Sequence, residues 1–120
     1  MLIELRQGIA INPYNLIYMH RANDAVVFRL YNGRAHKIPA DDPRDAYKLF
    51  HKDLSRHVDM LDVHDYSINV DAIVGIAISD KGVAINTVQD NLSVFTSDYE
   101  KRFVHYNEYI EQFNRLTSRG

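Results

Sequence analysis

Apolar residues in the first third of the chain come in short alternating runs broken by turn-forming residues, the period-two signature of strands with one buried face. Gly8 to Ile11 and Leu16 to Met19 read as strands around a corner at Asn12-Pro13. A turn at Ala22 to Asp24 leads into a strand from Ala25 to Leu30. Asn32-Gly33 then predicts a two-residue hairpin, because both residues tolerate positive φ, with Arg34 to Ile38 as the returning strand. Leu2 to Leu5 is a candidate additional strand.

The period then changes to three and four. Asp41 or Asp42 supplies an N-cap, Pro43 stands where a missing N–H costs nothing, and Asp45 suits the helix dipole. The apolar face of this first helix is Ala46, Tyr47, Phe50, Leu54 and Val58.

The second half follows the same grammar. A shift of 57 positions lays Ile11-Asn12 on Ile68-Asn69, Leu16-Ile17 on Ile73-Val74, and Val26 on Val83. Strands are expected at Ser67 to Val70, Ala72 to Ile78, Val83 to Thr87 and Leu92 to Phe95, with turns at Ser79 to Gly82 and Gln89 to Asn91. Ser97-Asp98-Tyr99-Glu100 reads as a capping box before a second helix whose apolar face is Phe103, Tyr106, Ile110 and Phe113.

The expected architecture is therefore α+β. It is a single domain over residues 1–120, built of two pseudo-repeated antiparallel β-meander-plus-helix units, about 8–58 and 65–116, that share one core. The run from Ile73 to Ile78 is apolar on both sides and predicts a central strand covered on both faces. An exposed edge or unfilled sheet face favours a homodimer.

Composition narrows the chemistry. With no cysteine in the chain, disulfides, thiolate metal sites and cysteine nucleophiles are excluded. Apolar runs fall far short of the ~20 residues of a membrane span, and Glu4 and Arg6 interrupt any signal-peptide pattern. A cytoplasmic protein with no membrane partner is expected. The net charge of −2 divides unevenly: residues 1–60 hold nine Lys/Arg against seven Asp/Glu, residues 61–120 five against nine.

The Asn12-Pro13 corner, the Leu16-Ile17-Tyr18 strand and the Leu30-Tyr31-Asn32-Gly33 hairpin resemble, over about thirty residues, the β-meanders of LytTR-type DNA-binding domains and of small flagellar regulatory proteins. No function is carried over from this resemblance.

Three constellations are candidates for chemistry. Arg44, Lys48, Lys52 and Arg56 recur every four residues and form a basic stripe on the outer face of the first helix, suited to phosphates or to an acidic protein surface. Tyr14 and Tyr31 fall at turns, where they can anchor a partner, with Arg34 and Lys37 on the hairpin beside them. His57, Asp59, Asp62, His64 and Asp65 are dense enough to converge on a divalent ion, or else form a solvated linker between the units. No nucleophile elbow or phosphate-binding glycine loop is present, and no cofactor is implied.

The primary expectation is a small non-enzymatic protein-binding regulator or inhibitor acting through Tyr-bearing turns and the basic helix face, for which a phage or mobile-element origin is compatible with the composition. The alternatives are a nucleic-acid-binding regulator using the Arg44/Lys48/Lys52/Arg56 stripe with Arg29, Arg34 and Lys37, and a metal-dependent hydrolase using the His57 to Asp65 cluster.

Overall fold

The structure is a computed structural model that describes residues 1–80, 82–89, 91–95 and 100–118. It is mixed α+β, mostly strand; the described residues form ten strands in three antiparallel sheets and two α-helices. Strands β1 (Ile3–Arg6) and β2 (Ile9–Ile11) pair as a hairpin. Next come a short 3-10 helix at Pro13–Asn15, then β3 (Leu16–Arg21), β4 (Ala25–Leu30), β5 (Ala35–Pro39) and helix α1 (Pro43–Leu54). The second run is β6 (Met60–Val63), β7 (Tyr66–Asn69), a 3-10 helix at Val70–Ala72, β8 (Ile73–Ser79), β9 (Gly82–Thr87), β10 (Asn91–Phe95) and α2 (Lys101–Thr117).

The central sheet has the order β5-β4-β3-β7-β6, so the two runs are joined by pairing of β3 with β7, Tyr18 opposite Ile68 and His20 opposite Tyr66. β10-β9-β8 form the third sheet. Strand alternation sends Phe28 toward α1, where its ring meets Phe50 edge-on at 5.1 Å. α1 packs on β3 and β4, and α2 packs on β6, β8 and β9. Buried apolar residues gather in two clusters, one beneath α1 around Leu16, Met19, Val26, Phe28 and Leu54, the other beneath α2 around Leu61, Val63, Ile68, Ile85 and Tyr109. Met60 belongs to the first and its neighbour Leu61 to the second, so β6 feeds both.

Several expectations are corrected. The stretch read as a linker contains β6, in which exposed Asp62 lies between buried Leu61 and Val63, and His64 follows in the turn to β7. The hairpin between β4 and β5 is longer than two residues: Gly33 N–H donates to Leu30 O at 3.0 Å, Gly33 alone takes positive φ, +84°, and Leu30 N–H reaches Arg34 O at 2.9 Å. β8 is an edge strand rather than a central one, with Val74 67% exposed. On α2, Tyr106 and Phe113 pack against the second cluster as expected and Ile110 is partly buried, but Phe103 is exposed; Arg102 and Tyr109 are buried in addition, the Arg102 guanidinium donating to Ser79 O at 2.9 Å. The capping box at Ser97 to Glu100 lies largely outside the described residues.

Candidate functional site

Asp42 caps α1, its Oδ1 accepting from Asp45 N–H at 3.2 Å, and the helix ends where Ser55 N–H donates to His51 O and Ser55 Oγ to Lys52 O. Arg44, Lys48 and Lys52 stand on its outer surface, all exposed, at intervals of about 6 Å along the axis. Arg56 lies beyond the C-cap, in the turn that leads to buried Val58. None of the four makes an ion pair among the described residues.

Along its side facing β6 and β7, the helix is tied down by a polar chain. Tyr47 Oη bonds Ser67 Oγ, which donates to Asp62 Oδ1 at 2.7 Å, and the same oxygen meets His51 Nε2 at 3.0 Å. Asp62 N–H donates to Gln112 Oε1 at 3.0 Å, carrying the connection to α2. Burial pushes the Tyr47 hydroxyl up to about 12, with the Ser67 hydrogen bond opposing and the Asp62 and Asp65 charges adding to it. The Asp62 hydrogen bond raises the His51 pKa against the effect of burial. Burial pushes Asp62 up, but hydrogen bonds from His51 and Ser67 outweigh it and hold the carboxyl below its ordinary value.

Tyr47, Lys48, His51, Lys52, Asp62 and His64 line a shallow pocket of about 280 Å³. It is at the lower limit for enclosing a small ligand, and its two ammonium groups face solvent. At the N-terminal end of α1, Arg44 shares a smaller depression with Arg21 and Asn23, and Arg21 pairs with Asp65 at 2.8 Å. The β3–β4 turn, the β6–β7 turn and the start of α1 thus meet at one end of the central sheet. With the Tyr47 hydroxyl proton given to Ser67 and His51 Nε2 engaged with Asp62, what this surface offers a ligand is the exposed positive charges of Arg44, Lys48 and Lys52. Those are the requirements for holding an extended anion.

The hairpin cations do not join it. Arg29 follows inward-facing Phe28 on β4 and Lys37 is level with Val27, so both project from the sheet face opposite α1. Arg29 Nη1 donates to Gly33 O at 2.6 Å, and Lys37 pairs with Asp24 at 3.6 Å. Arg34 lies with Tyr31 and His36 along a separate groove that runs to β2. Of the two turn tyrosines, Tyr14 is 58% exposed. Tyr31 is partly buried between the halves: its N–H donates to Asn15 O, its carbonyl accepts from Gln89 Nε2, and burial, then Asp71, raises its pKa.

The His57 to Asp65 cluster is dispersed, which corrects the metal-hydrolase alternative. His57 N–H closes the end of α1 on Leu54 O, the Asp59 carbonyl accepts from Val70 N–H, Asp62 is held by His51 and Ser67, and Asp65 by Arg21. Among the described residues no three His, Asp or Glu side chains gather to hold a metal ion. Proximity in sequence failed as a guide because His57 stays at the end of α1, Asp62 and His64 border the pocket beside Lys48 and Lys52, and the β6–β7 turn, where His64 takes φ +53°, carries Asp65 to Arg21. The role of Ser67 was missed; the sequence signal for this polar chain was the Tyr47/His51 spacing of four along α1.

No helix among the described residues is long and apolar enough to cross a membrane. No protein-family model and no curated protein matches the chain. Among solved structures, the chain is similar to the LytTr DNA-binding domain of a protein assigned as a methyl-accepting/DNA response regulator from Bacillus cereus, with a TM-score of 0.59 over 91% of this chain and 95% of that one at 10% identity. The similarity spans both sheet-and-helix halves, and the two chains share a fold.

Proposed function

We propose that this protein is a nucleic-acid-binding regulatory domain that engages the phosphate backbone through Arg44, Lys48, Lys52 and Arg56. The observation that carries the reading is the shared fold with a domain described as DNA-binding, nearly end to end in both chains. It favours nucleic acid over the protein partner that the tyrosine-bearing turns suggest. The unpaired cations on α1 supply the chemistry, since each one placed on a phosphate releases condensed counterions. Arg21 and Asn23, at the same end of the central sheet, extend the surface past the start of the helix.

Four phosphates neutralised give a log–log salt slope near −3.6, so affinity should fall by about 10²-fold between 50 and 200 mM salt. Polarisation of labelled duplex DNA, single-stranded DNA and RNA at those two concentrations tests this. Binding to none of them at the lower salt sinks the proposal and returns a protein partner to first place.

We further read the two element runs as copies of one unit that share a continuous core. The elements recur in the same order at an offset of 57 residues, β1 on β6, β2 on β7, β3 on β8 and β4 on β9. In its support, β3–β4 is bulged between Leu16 and Tyr18 and β8–β9 between Ile73 and Gly75, the same relative place. Tyr31 N–H donates to Asn15 O and Val88 N–H to Ala72 O, both at 2.9 Å. Asn12 Oδ1 accepts from Tyr14 N–H and Asn69 Oδ1 from Asp71 N–H, both at 3.1 Å.

A further inference from the structure

The two halves differ in what lies along one pair of strand edges. In the centre of the molecule β3 offers its edge to β7, with Met19 opposite Ser67 and Arg21 N–H donating to Asp65 O at 2.9 Å. Asn69 completes the seam, its Nδ2 donating to Leu16 O at 2.9 Å. The counterpart of β3 is β8, and the counterpart of β7 is β2. Among the described residues each has a strand on one side only, β9 beside β8 and β1 beside β2. Asn12, the counterpart of Asn69, spends its carbonyl oxygen on the same turn and points its amide nitrogen toward no partner among the described residues.

We infer that β8 of one molecule pairs with β2 of a second copy of this chain, reproducing between molecules the β3–β7 seam found within one. The inference rests on the equivalence of the two units and is independent of the nucleic-acid reading. Its register follows from the internal one: Ile76 opposite Ala10, Ala77 opposite Ile9, Ile78 N–H on Gly8 O, and Asn12 Nδ2 on Ile73 O.

Three further observations agree. First, the edges in question lack the usual protection: β2 reads IAI and β8 IVGIAIS, without a charge or a proline, whereas the outer strands of the central sheet carry Lys37 and Pro39 on β5 and Asp62 on β6. The outer edge of β10 is also uncharged, but its counterpart β5 is likewise an outer strand, so the equivalence assigns it no partner. Second, an open groove of about 540 Å³, lined in part by Ala10, Ile11, Asn12, Asn15 and Tyr31, follows the β2 edge. The counterparts Ser67, Ile68 and Asn69 are where β3 lies against β7. Third, the contact brings the half with nine Lys/Arg and seven Asp/Glu against the half of the next molecule with five and nine. The interface is head-to-tail, so it propagates as an open chain unless its rotation closes a ring.

The chain has no cysteine, which makes the register directly testable. His20 and Tyr66 stack at 4.2 Å across the inner seam, so their counterparts Ala77 and Ile9 should be near neighbours across the outer one. Ile9→Cys and Ala77→Cys, prepared separately, should cross-link on oxidation when mixed at least tenfold more than either does alone, and the double variant should form a ladder or a closed ring. Equal cross-linking in the mixture and in the single variants overturns the proposal, as does a dominant Ile9→Cys self-pair, which would mean a symmetric β2–β2 contact. In sedimentation, the mass of the unmodified protein should rise with concentration, and Ala10→Pro should return it to monomer with an unchanged melting temperature. If Ala10→Pro disturbs the melt, Asn12→Ala takes its place, with self-association at least tenfold weaker. A mass that stays monomeric up to ~1 mM, the weak end of measurable association, refutes the interface.

Discussion

The two helices each follow a run of strands but dispose their cations differently. α1 packs through Phe50 and buried Leu54 and leaves Arg44, Lys48 and Lys52 in solvent without ion pairs among the described residues. α2 turns Arg102 inward to Ser79 O and over the Phe103 ring, and displays Glu108 and Glu111. On α1 the positive charge thus forms one exposed stripe, whereas on α2 Arg102 is taken up by the fold and only the separated Lys101 and Arg115 remain exposed, among acidic neighbours. The difference lies in which helix face meets the sheet.

The largest effects test how far the halves are independent. Phe28→Ala beneath α1 and Ile85→Ala beneath α2 each empty a fully buried site and should cost about 3–5 and 2–5 kcal/mol respectively. If β6 couples the clusters, both variants unfold in one denaturant transition by fluorescence and circular dichroism alike. Two separated transitions would mean that the halves melt separately. Asn69→Ala cuts the inner seam at one buried hydrogen bond and leaves Leu16 O without it, for which a loss of about 1–3 kcal/mol is expected. Asn12→Ala, at the solvent-facing counterpart, should cost the monomer less than half as much in the same melts.

Charge reversal probes the contrast between helices. Lys48→Glu/Lys52→Glu should weaken nucleic-acid binding more than tenfold and flatten the salt slope by about 1.8. Lys101→Glu/Arg115→Glu on α2 should leave affinity within about twofold. Equal losses from the two pairs would reduce the stripe to a general charge effect.

The smallest effect concerns the His51–Asp62 contact that ties α1 to β6. His51 is raised in the fold, so its contribution is complete below 6.5 and disappears as pH climbs through the raised value; Asp62 is lowered, so its contribution holds above 3.8 and disappears as pH falls through the lowered value. The stability gap between the protein and His51→Gln should therefore peak between those two values. Both groups are partly exposed, which keeps it below about 1 kcal/mol. A gap that grows with pH above 6.5 would contradict the assigned pairing.

Local signals were strong where backbone chemistry fixes a unit. The Asn12-Pro13 corner, the turn at Ala22 to Asp24 and the Asp42-Pro43 helix start could be seen in the chain because turn residues and caps act over three or four positions. β6 could not, since three apolar side chains among Asp59, Asp62 and His64 look like a polar linker until β7 is placed next to them. On α2 the spacing marked Tyr106 and Phe113 correctly but not Phe103 or Arg102, because a long arginine stem can be buried with its guanidinium hydrogen-bonded and no periodicity marks which arginine will be. The basic stripe was legible from its spacing of four, whereas Ser67 and Asp62, which fasten the helix carrying it, were not.

The sequence by itself determined the order and kind of most elements, the asymmetry of charge between the halves and the position of the cations on α1, because each depends on near neighbours along the chain. The tertiary structure alone decided that β3 meets β7, that β8 ends at an open edge, that the hairpin cations face away from the helix stripe and that the histidine and aspartate residues around β6 part company. Those outcomes depend on pairing register and strand direction between segments roughly 45 to 55 residues apart, and in a sheet a shift of one residue moves every side chain to the other face.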